Sequence, residues 1–552
     1  MDFDFSDDQE QLRDAVRKWV DKGYTFERRR AAVAAGGFDR AAWNELAELG
    51  MTALTVPEAH DGMGQGAIDA MVVAEELGRG MVLEPIAQAF IASSVLSHYA
   101  PADVQGAWLP RVASGEALVV LAYQERKARY RLDVCEAKAA SAPAGYAVTA
   151  TKSIVAAGDQ ADAFIVPAQL DGKIALFLVE RSAAGVTTRG YVTQDGSRAA
   201  EVQLANAPAT LITTDGLAAL ELAVDTGIAA TCAEAVGVMD KTVAITVEYM
   251  NQRKQFGVAI NTFGAIKQKL AEMAVRTYAC ESLCYRAGQD IEDRMDSLAA
   301  EGMPDAQAKL KALEEFAIEA AIAKVHGSEV LDYVVDQGVQ VYGGMGYSAD
   351  APMERAYRDA RISKIYEGTN EINRMLMVGM LLKRAMKGEI NLFEPAMAVS
   401  AELTSVPSFE TVDTSELFAA EKETIKKLKK VFLMVGGKAA MALADKIESE
   451  QEVMMNLADL MIEIYAAESV ILRTEKLVGL RGEEACQPQI AMTQVYLFEA
   501  VEKIQTAAKE AIAAFTKGDE QKVMLMGLKR YTKADLVNTK ELRRQVADYM
   551  IE

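Results

Sequence analysis

No proline interrupts the stretch between Pro208 and Pro304. Proline removes a backbone donor and its ring collides with the preceding turn, so its absence over such a length leaves room for two long helices. Alanine and leucine stripes run through the same stretch. Two further helical runs lie at about 306–342 and 352–386, giving the content of a four-helix bundle. Across the chain only 12 of 552 residues are proline, about 2% and less than half of ordinary usage. With 51% hydrophobic and 25% charged residues the chain can bury large cores. Its length is that of three to four ordinary domains, by the usual prior of about 150 residues each.

The flanks differ in texture. Residues 1–115 read as helices of modest length. Ser6-Asp7-Asp8-Gln9 has the pattern of a capping box, Leu12, Val16 and Trp19 recur at helical spacing, and turn signals follow at Pro57, Asp61-Gly62, Pro85 and Pro101. Residues 116–212 contain short runs rich in branched residues (LVVLAY, YAVTAT, AFIVPA, IALFLV and EVQLA), separated by glycine, proline and charged turns. They predict an antiparallel β-domain. Residues 213–390 carry the four-helix bundle, and 391–414, with two prolines and many Ser and Thr, reads as a linker. Residues 415–552 predict an extra helical bundle. The expected fold class is therefore mainly α with an inserted antiparallel β-domain and a C-terminal helical extension.

Charge and composition exclude several functions. The 80 acidic and 59 basic side chains leave a net charge of −21, which repels phosphate backbones and argues against nucleic-acid binding. The three histidines, His60, His98 and His326, lie far apart, so no metal site is expected. Five scattered cysteines predict a reduced protein, and the acidic MDFDFSDDQEQL start lacks the features of a signal peptide. No uninterrupted apolar run reaches a membrane-spanning length, and the expected location is cytoplasmic.

Four stretches carry chemistry-bearing residues: Arg253-Lys254-Gln255-Phe256-Gly257, Gln340-Val341-Tyr342-Gly343-Gly344-Met345-Gly346-Tyr347, Glu354-Arg355-Ala356-Tyr357-Arg358-Asp359-Ala360-Arg361, and Ile365-Tyr366-Glu367-Gly368-Thr369-Asn370-Glu371-Ile372. Alone, each has a plain structural explanation. A Gly-Gly pair after a helix is ordinarily a left-handed cap, arginines along one helix face ordinarily form ion pairs, and a carboxylate between helices is ordinarily solvated.

Together they resemble the acyl-CoA dehydrogenase family. RKQFG, QVYGGMGY and IYEGTNEI occur in the family's order and spacing around an inserted β-domain, over about residues 1–390. The resemblance has two parts. Residues 1–255, with MDFDFSDDQ, MVLEP, RGYVTQDG and CAEAVGVMD, resemble the small subunit of pimeloyl-CoA dehydrogenases. Residues 260–552 resemble very-long-chain acyl-CoA dehydrogenases with their helical extension. A recombined chain would show such a change.

The resemblance implies an FAD-dependent enzyme that forms a trans double bond between the α and β carbons of an acyl-CoA thioester. A base removes the α-proton while hydride leaves the β-carbon for flavin N5. Glu367 matches the base, and its backbone amide together with the flavin ribityl 2′-hydroxyl would hold the thioester oxygen. Gly368 would let the chain approach the substrate, and Asp225 is a candidate CoA contact. Thr369 and Glu371 would open the following helix toward the cofactor. Arg253 and Phe256 would hold its pyrophosphate and adenine end, approached across a dimer interface by Gln340, Gly343 and Gly344. The implied partners are an acyl-CoA substrate, an electron-transferring flavoprotein, and further subunits in a homodimer, a dimer of dimers or a heteromeric assembly.

The pattern departs from the family at the flavin ring. Where the family has Thr-Glu-Pro followed by Gly-Ser-Asp, this chain has Gln124-Glu125-Arg126 and then Arg129-Tyr130-Arg131; Ile154-Val155-Ala156 replaces the usual Trp-Ile-Thr. Gln124 and Ser153 remain as candidate hydrogen-bonding partners of the ring. Ile228 stands where the family has an arginine. These changes support an alternative function, a flavin-poor partner subunit of a heteromeric acyl-CoA dehydrogenase. The very-long-chain group's extension contributes to membrane association, but this acidic chain has no clear basic amphipathic helix to repeat it.

Overall fold

The structure is a computed structural model that describes all residues except 1, 2, 4, 129, 130, 144 and 404–415. It resolves into two compact units, each assembled from separated stretches of chain. The first comprises Met1–Lys241, Gly288–Phe316 and Tyr347–Ile362; the second comprises Thr242–Ala287, Ala317–Gly346 and Ser363–Glu552.

The proline-free stretch forms two helices, Gly216–Gln252 and Gly264–Ala300, each of 37 residues. Both contribute to both units. The first is long and apolar enough to cross a membrane by length and composition, at a mean hydropathy of 1.4, and 56% of its most apolar window is buried within the structure. That burial is the behaviour of a core helix. The helix meets this measure although charges, Asp225 and Glu234 among them, interrupt its apolar run.

In the first unit, six helices between Asp7 and Ala113 precede the strands. The Ser6 hydroxyl accepts from the Gln9 amide at 3.2 Å and the Gln9 side chain accepts from the Ser6 amide at 3.0 Å, the reciprocal cap expected from the sequence. The helix Ala67–Gly80 meets Gly216–Gln252 through two glycines. A Cβ at Gly237 would lie 1.8 Å from the Glu75 carbonyl oxygen, and one at Gly78 would lie 2.2 Å from the Glu234 carbonyl oxygen. Backbone against backbone leaves no side chain to yield. Gly237→Ala is expected to destabilise the chain by about 1–3 kcal/mol, the usual range for overpacking. Urea unfolding checks this, and an unchanged midpoint would contradict it.

The strands of residues 119–213 form one seven-stranded sheet. Ala163–Leu170 pairs with Lys173–Glu180 on one side and, through Lys138 and Gln169, with Lys138–Ala142 on the other; the remaining pairings through Gly145–Ala156 and Arg198–Thr213 close the ring. The expected antiparallel pattern holds for most pairings. Val119–Leu121 and Lys138–Ala142, however, pair in parallel with Ala163–Leu170. Parallel neighbours need a long crossover, and residues 122–162 provide it for the first of these pairs. Lys152 is buried among these strands, its ammonium 2.6 Å from Glu125 Oε1 and 2.9 Å from the Pro167 carbonyl.

In the second unit the helix Ala317–Tyr342 and the helix Asn370–Met386 are joined by extensive contacts, and Asn370–Met386 also meets Gln451–Arg481 of the C-terminal extension. The extension comprises Ala419–Leu443, Gln451–Arg481, Gln487–Phe515, Gly518–Tyr531 and Thr539–Ile551. The stretch read as a linker contains a helix, Phe393–Glu402, whose Ala396 and Val399 are buried. An apolar pair one turn apart outweighed the proline and serine signals there. Residues 404–414 of that linker lie outside the described residues.

Candidate active site

The candidate base sits where a helix fails to continue. Between Met353–Ala360 and Asn370–Met386 the chain turns through a short 3-10 segment, Arg361–Lys364, and then through Glu367 and Gly368 at φ 55° and 77°. Gly368 takes a left-handed conformation freely. Glu367 does so at a cost of about 1–2 kcal/mol, which the surrounding contacts must offset. Thr369 is the helix cap, as the sequence predicted: its hydroxyl accepts from the Ile372 amide at 3.3 Å. Glu371 lies in the first turn, its carboxyl held low by its own backbone amide and by the Thr369 hydroxyl.

Three residues not anticipated from the sequence hold this turn. The Asn373 amide donates to the carbonyls of Glu367, Gly368 and Thr369 at 3.1, 2.9 and 3.3 Å. Lys324, only 7% exposed, donates to the Gly368 carbonyl at 2.6 Å and to Asn370 Oδ1 at 2.9 Å. Asn370 in turn exchanges hydrogen bonds with the Ser328 hydroxyl at 3.1 and 2.9 Å. The one available signal was a single lysine inside the apolar run AAIAKV, where a charge is retained only with partners. Burial pushes the half-buried Glu367 carboxyl above its ordinary range, and the Lys324 ammonium partly offsets this. The Glu367 amide N–H meets no acceptor among the described residues.

The RKQFG stretch follows directly on the helix Gly216–Gln252. Lys254-Gln255 pairs with Val258-Ala259 in a tight hairpin whose turn residues, Phe256 and Gly257, have φ of 54° and 84°. Phe256 is 93% exposed, touching Phe263 edge-on at a centroid distance of 6.1 Å. Arg253 is exposed and forms no ion pair among the described residues. Gln340, Gly343 and Gly344 are also exposed, and a Cβ at either glycine would meet open space. Tyr249 and Tyr342 stack at 4.0 Å, and the Tyr249 hydroxyl donates to the Tyr342 carbonyl at 3.2 Å, bringing the root of the hairpin beside the glycine pair.

Sequence models of three acyl-CoA dehydrogenase domains match the chain: the N-terminal domain over residues 6–116 and C-terminal domains over 214–382 and 427–530. A probable acyl-CoA dehydrogenase of Bacillus subtilis (strain 168) is 33% identical over 527 residues, 92% of this chain and 87% of that protein. The chain belongs to the acyl-CoA dehydrogenase family. The mitochondrial very long-chain specific acyl-CoA dehydrogenase of Rattus norvegicus is 27% identical over 89% of this chain and 78% of its own length. A solved acyl-CoA dehydrogenase of Bacillus anthracis, complexed with FAD, superposes with a TM-score of 0.93 at 32% identity, covering 99% of this chain and 95% of that one. The match to this acyl-CoA dehydrogenase extends over the β-domain and the C-terminal extension.

The remaining predicted residues belong to the first unit. Gln124 lies in the loop after Val119–Leu121, its side-chain amide 3.2 Å from the Tyr123 hydroxyl and its carbonyl accepting from the Ser153 amide at 3.0 Å. The Ser153 hydroxyl donates to Glu201 at 3.1 Å. Both candidate ring partners therefore already have partners within the chain. A bulge beside Ser153 puts Ile154 in a left-handed conformation, 61% exposed. Tyr130 lies outside the described residues. Asp225 is half-buried on Gly216–Gln252. The arginine-rich stretch is structural, as its plain explanation predicted: Arg358 pairs with Glu354 at 2.7 Å, Arg355 lies over the Phe26 ring at 4.6 Å, and Asp359 approaches Arg29 at 3.7 Å.

Proposed function

We propose that the chain is an FAD-dependent dehydrogenase that forms the trans-2-enoyl-CoA from a saturated acyl-CoA, with Glu367 as the base. The observation that carries this reading is the Glu367 turn: a strained left-handed carboxylate, half-buried and raised in pKa, on a loop clamped by Asn373 and Lys324. A base for a weakly acidic α-proton needs a pKa nearer working pH than a solvated glutamate has, and a fixed position. The Glu367 amide, which meets no acceptor among the described residues, is suited to donate to the thioester oxygen as charge develops there. Gly368 leaves room for the substrate, and Asp225 is assigned to CoA.

The exposed residues fit a flavin dinucleotide at its nucleotide end. Arg253, exposed and without an ion pair among the described residues, offers a cation to the pyrophosphate, Phe256 an exposed aromatic ring, and Gly343 and Gly344 a backbone that can be approached closely, with Gln340 beside them. The start of the helix capped by Thr369, with Glu371 in its first turn, is the remaining contact. FAD, when bound, supplies the hydride acceptor. Because these groups are exposed in one chain, the reading requires a dimer or dimer of dimers in which a second copy covers them. Electron-transferring flavoprotein is the expected oxidant.

The hydrogen bonds of Gln124 and Ser153 within the chain favour the second reading, a flavin-poor subunit of a heteromeric enzyme. The visible spectrum of the purified chain separates the two. A yellow protein bleached anaerobically by an acyl-CoA supports the enzyme, whereas a colourless protein that takes up no added FAD supports the subunit. Rapid reoxidation by oxygen would indicate an oxidase.

A further inference from the structure

The Arg374 side chain, 10% exposed, joins the catalytic turn to the C-terminal extension. Its Nη1 and Nη2 atoms grip Glu329 at 2.6 and 2.9 Å, and its Nε donates to Asp459 at 2.8 Å. Asp459 lies on Gln451–Arg481 of the extension, Glu329 on Ala317–Tyr342, and Arg374 in the second turn of the helix that Thr369 caps. Glu329 Oε1 also accepts from the Asn370 amide at 3.3 Å, and Asn370 Oδ1 accepts from Lys324, whose ammonium holds the Gly368 carbonyl. A continuous chain of polar contacts thus runs from the extension to the residue beside Glu367.

We propose that Asp459 is a positioning residue for the Glu367 turn, acting through Arg374, Glu329, Asn370 and Lys324; the proposal rests on Glu367 being the base. A guanidinium held on two sides by carboxylates has one orientation. Without the Asp459 charge, the Nε edge is held only by the weaker bond a neutral acceptor makes, and the fork is freer to rotate on Glu329. Glu329 then shifts from Asn370, and Lys324 loses the partner that aims it at the turn. The extension acts on catalysis through this contact as well as by covering the bundle.

The charged groups around the chain set the sign of the pH effect. Lys324 is the cation that faces Glu367, and Asn373 contributes a neutral amide. Arg374 meets Glu329 and Asp459 and acts on Glu371; His326 acts on Glu329, and Glu463 on Asp459. A displaced Lys324 stabilises the Glu367 carboxylate less. The acid limb of kcat therefore moves to higher pH.

The test uses the full chain with Asp459→Asn, Asp459→Glu and Glu367→Gln variants. Anaerobic bleaching by octanoyl-CoA and palmitoyl-CoA is followed against pH, and deuterium uptake of the peptide spanning residues 365–373 is measured with and without FAD. Asp459→Asn is expected to slow bleaching about tenfold with KM nearly unchanged, to raise the acid limb and to speed exchange in that peptide; a displacement of about 1 Å is enough for such a loss. Asp459→Glu is expected to restore all three. Asp459→Asn with unchanged exchange, rate and acid limb overturns the proposal, and so does a lowered melting temperature with those three unchanged. Full bleaching by Glu367→Gln would remove the base itself, whereas an inactive Glu367→Gln beside an unaffected Asp459→Asn removes only the positioning role.

Discussion

Glu367→Gln is expected to lose bleaching by any acyl-CoA by about three orders of magnitude or more while keeping its fold. General bases contribute about 10²–10⁴-fold, and glutamine cannot accept the proton at all. The substitution is nearly isosteric, so the left-handed turn and the Asn373 clamp on the 367–369 carbonyls remain. Its effect on stability has a definite sign. Burial raises the folded carboxyl above its unfolded value, so the ionised form is disfavoured in the fold and stability declines as pH rises between those two values. The neutral amide escapes this decline, and Glu367→Gln is expected to be as stable as the parent, or slightly more, at neutral pH. Stopped-flow bleaching and urea unfolding check the two halves. A variant that still bleaches at the parental rate would place the base elsewhere.

Lys324→Met is expected to reduce both stability and activity. The ammonium satisfies the Gly368 carbonyl and Asn370 Oδ1, and a thioether of similar length satisfies neither. Charge-assisted hydrogen bonds contribute about 1.5–3 kcal/mol, and both acceptors keep a second donor, Asn373 and Ser328, so a loss of about 2 kcal/mol is expected. Catalysis suffers separately. Without the cation, burial acts on Glu367 unopposed, its pKa rises further, and the acid limb of the rate profile moves up in pH. A higher pH is then expected to recover part of the rate lost near neutrality. A variant with parental unfolding and the parental acid limb would exclude Lys324 from the site. The Asp459→Asn shift has the same direction and a smaller size, since that variant retains the ammonium.

Much of the architecture was legible in the chain, for identifiable reasons. The gap between Pro208 and Pro304 accommodates both 37-residue helices. The Ser6–Gln9 box and the Thr369 cap are local patterns, formed by side chains and amides three residues apart. Strand-length branched runs announced the β-domain but not the parallel pairing of Val119–Leu121 with Ala163–Leu170, because pairing direction depends on a crossover and not on either strand. The helix Phe393–Glu402 was masked by nearby linker-like composition, since its buried face is a single short pair.

What the sequence by itself determined was the kind of protein and the position of its candidate base: helix lengths, caps and the IYEGT motif are carried by neighbouring residues. Tertiary structure alone decided what holds that base. Lys324 reaches Gly368 across 44 residues and Arg374 reaches Asp459 across 85, and no local periodicity or spacing records such contacts. The left-handed conformation of Glu367 has the same origin, because a strained torsion persists only where contacts from other segments offset its cost.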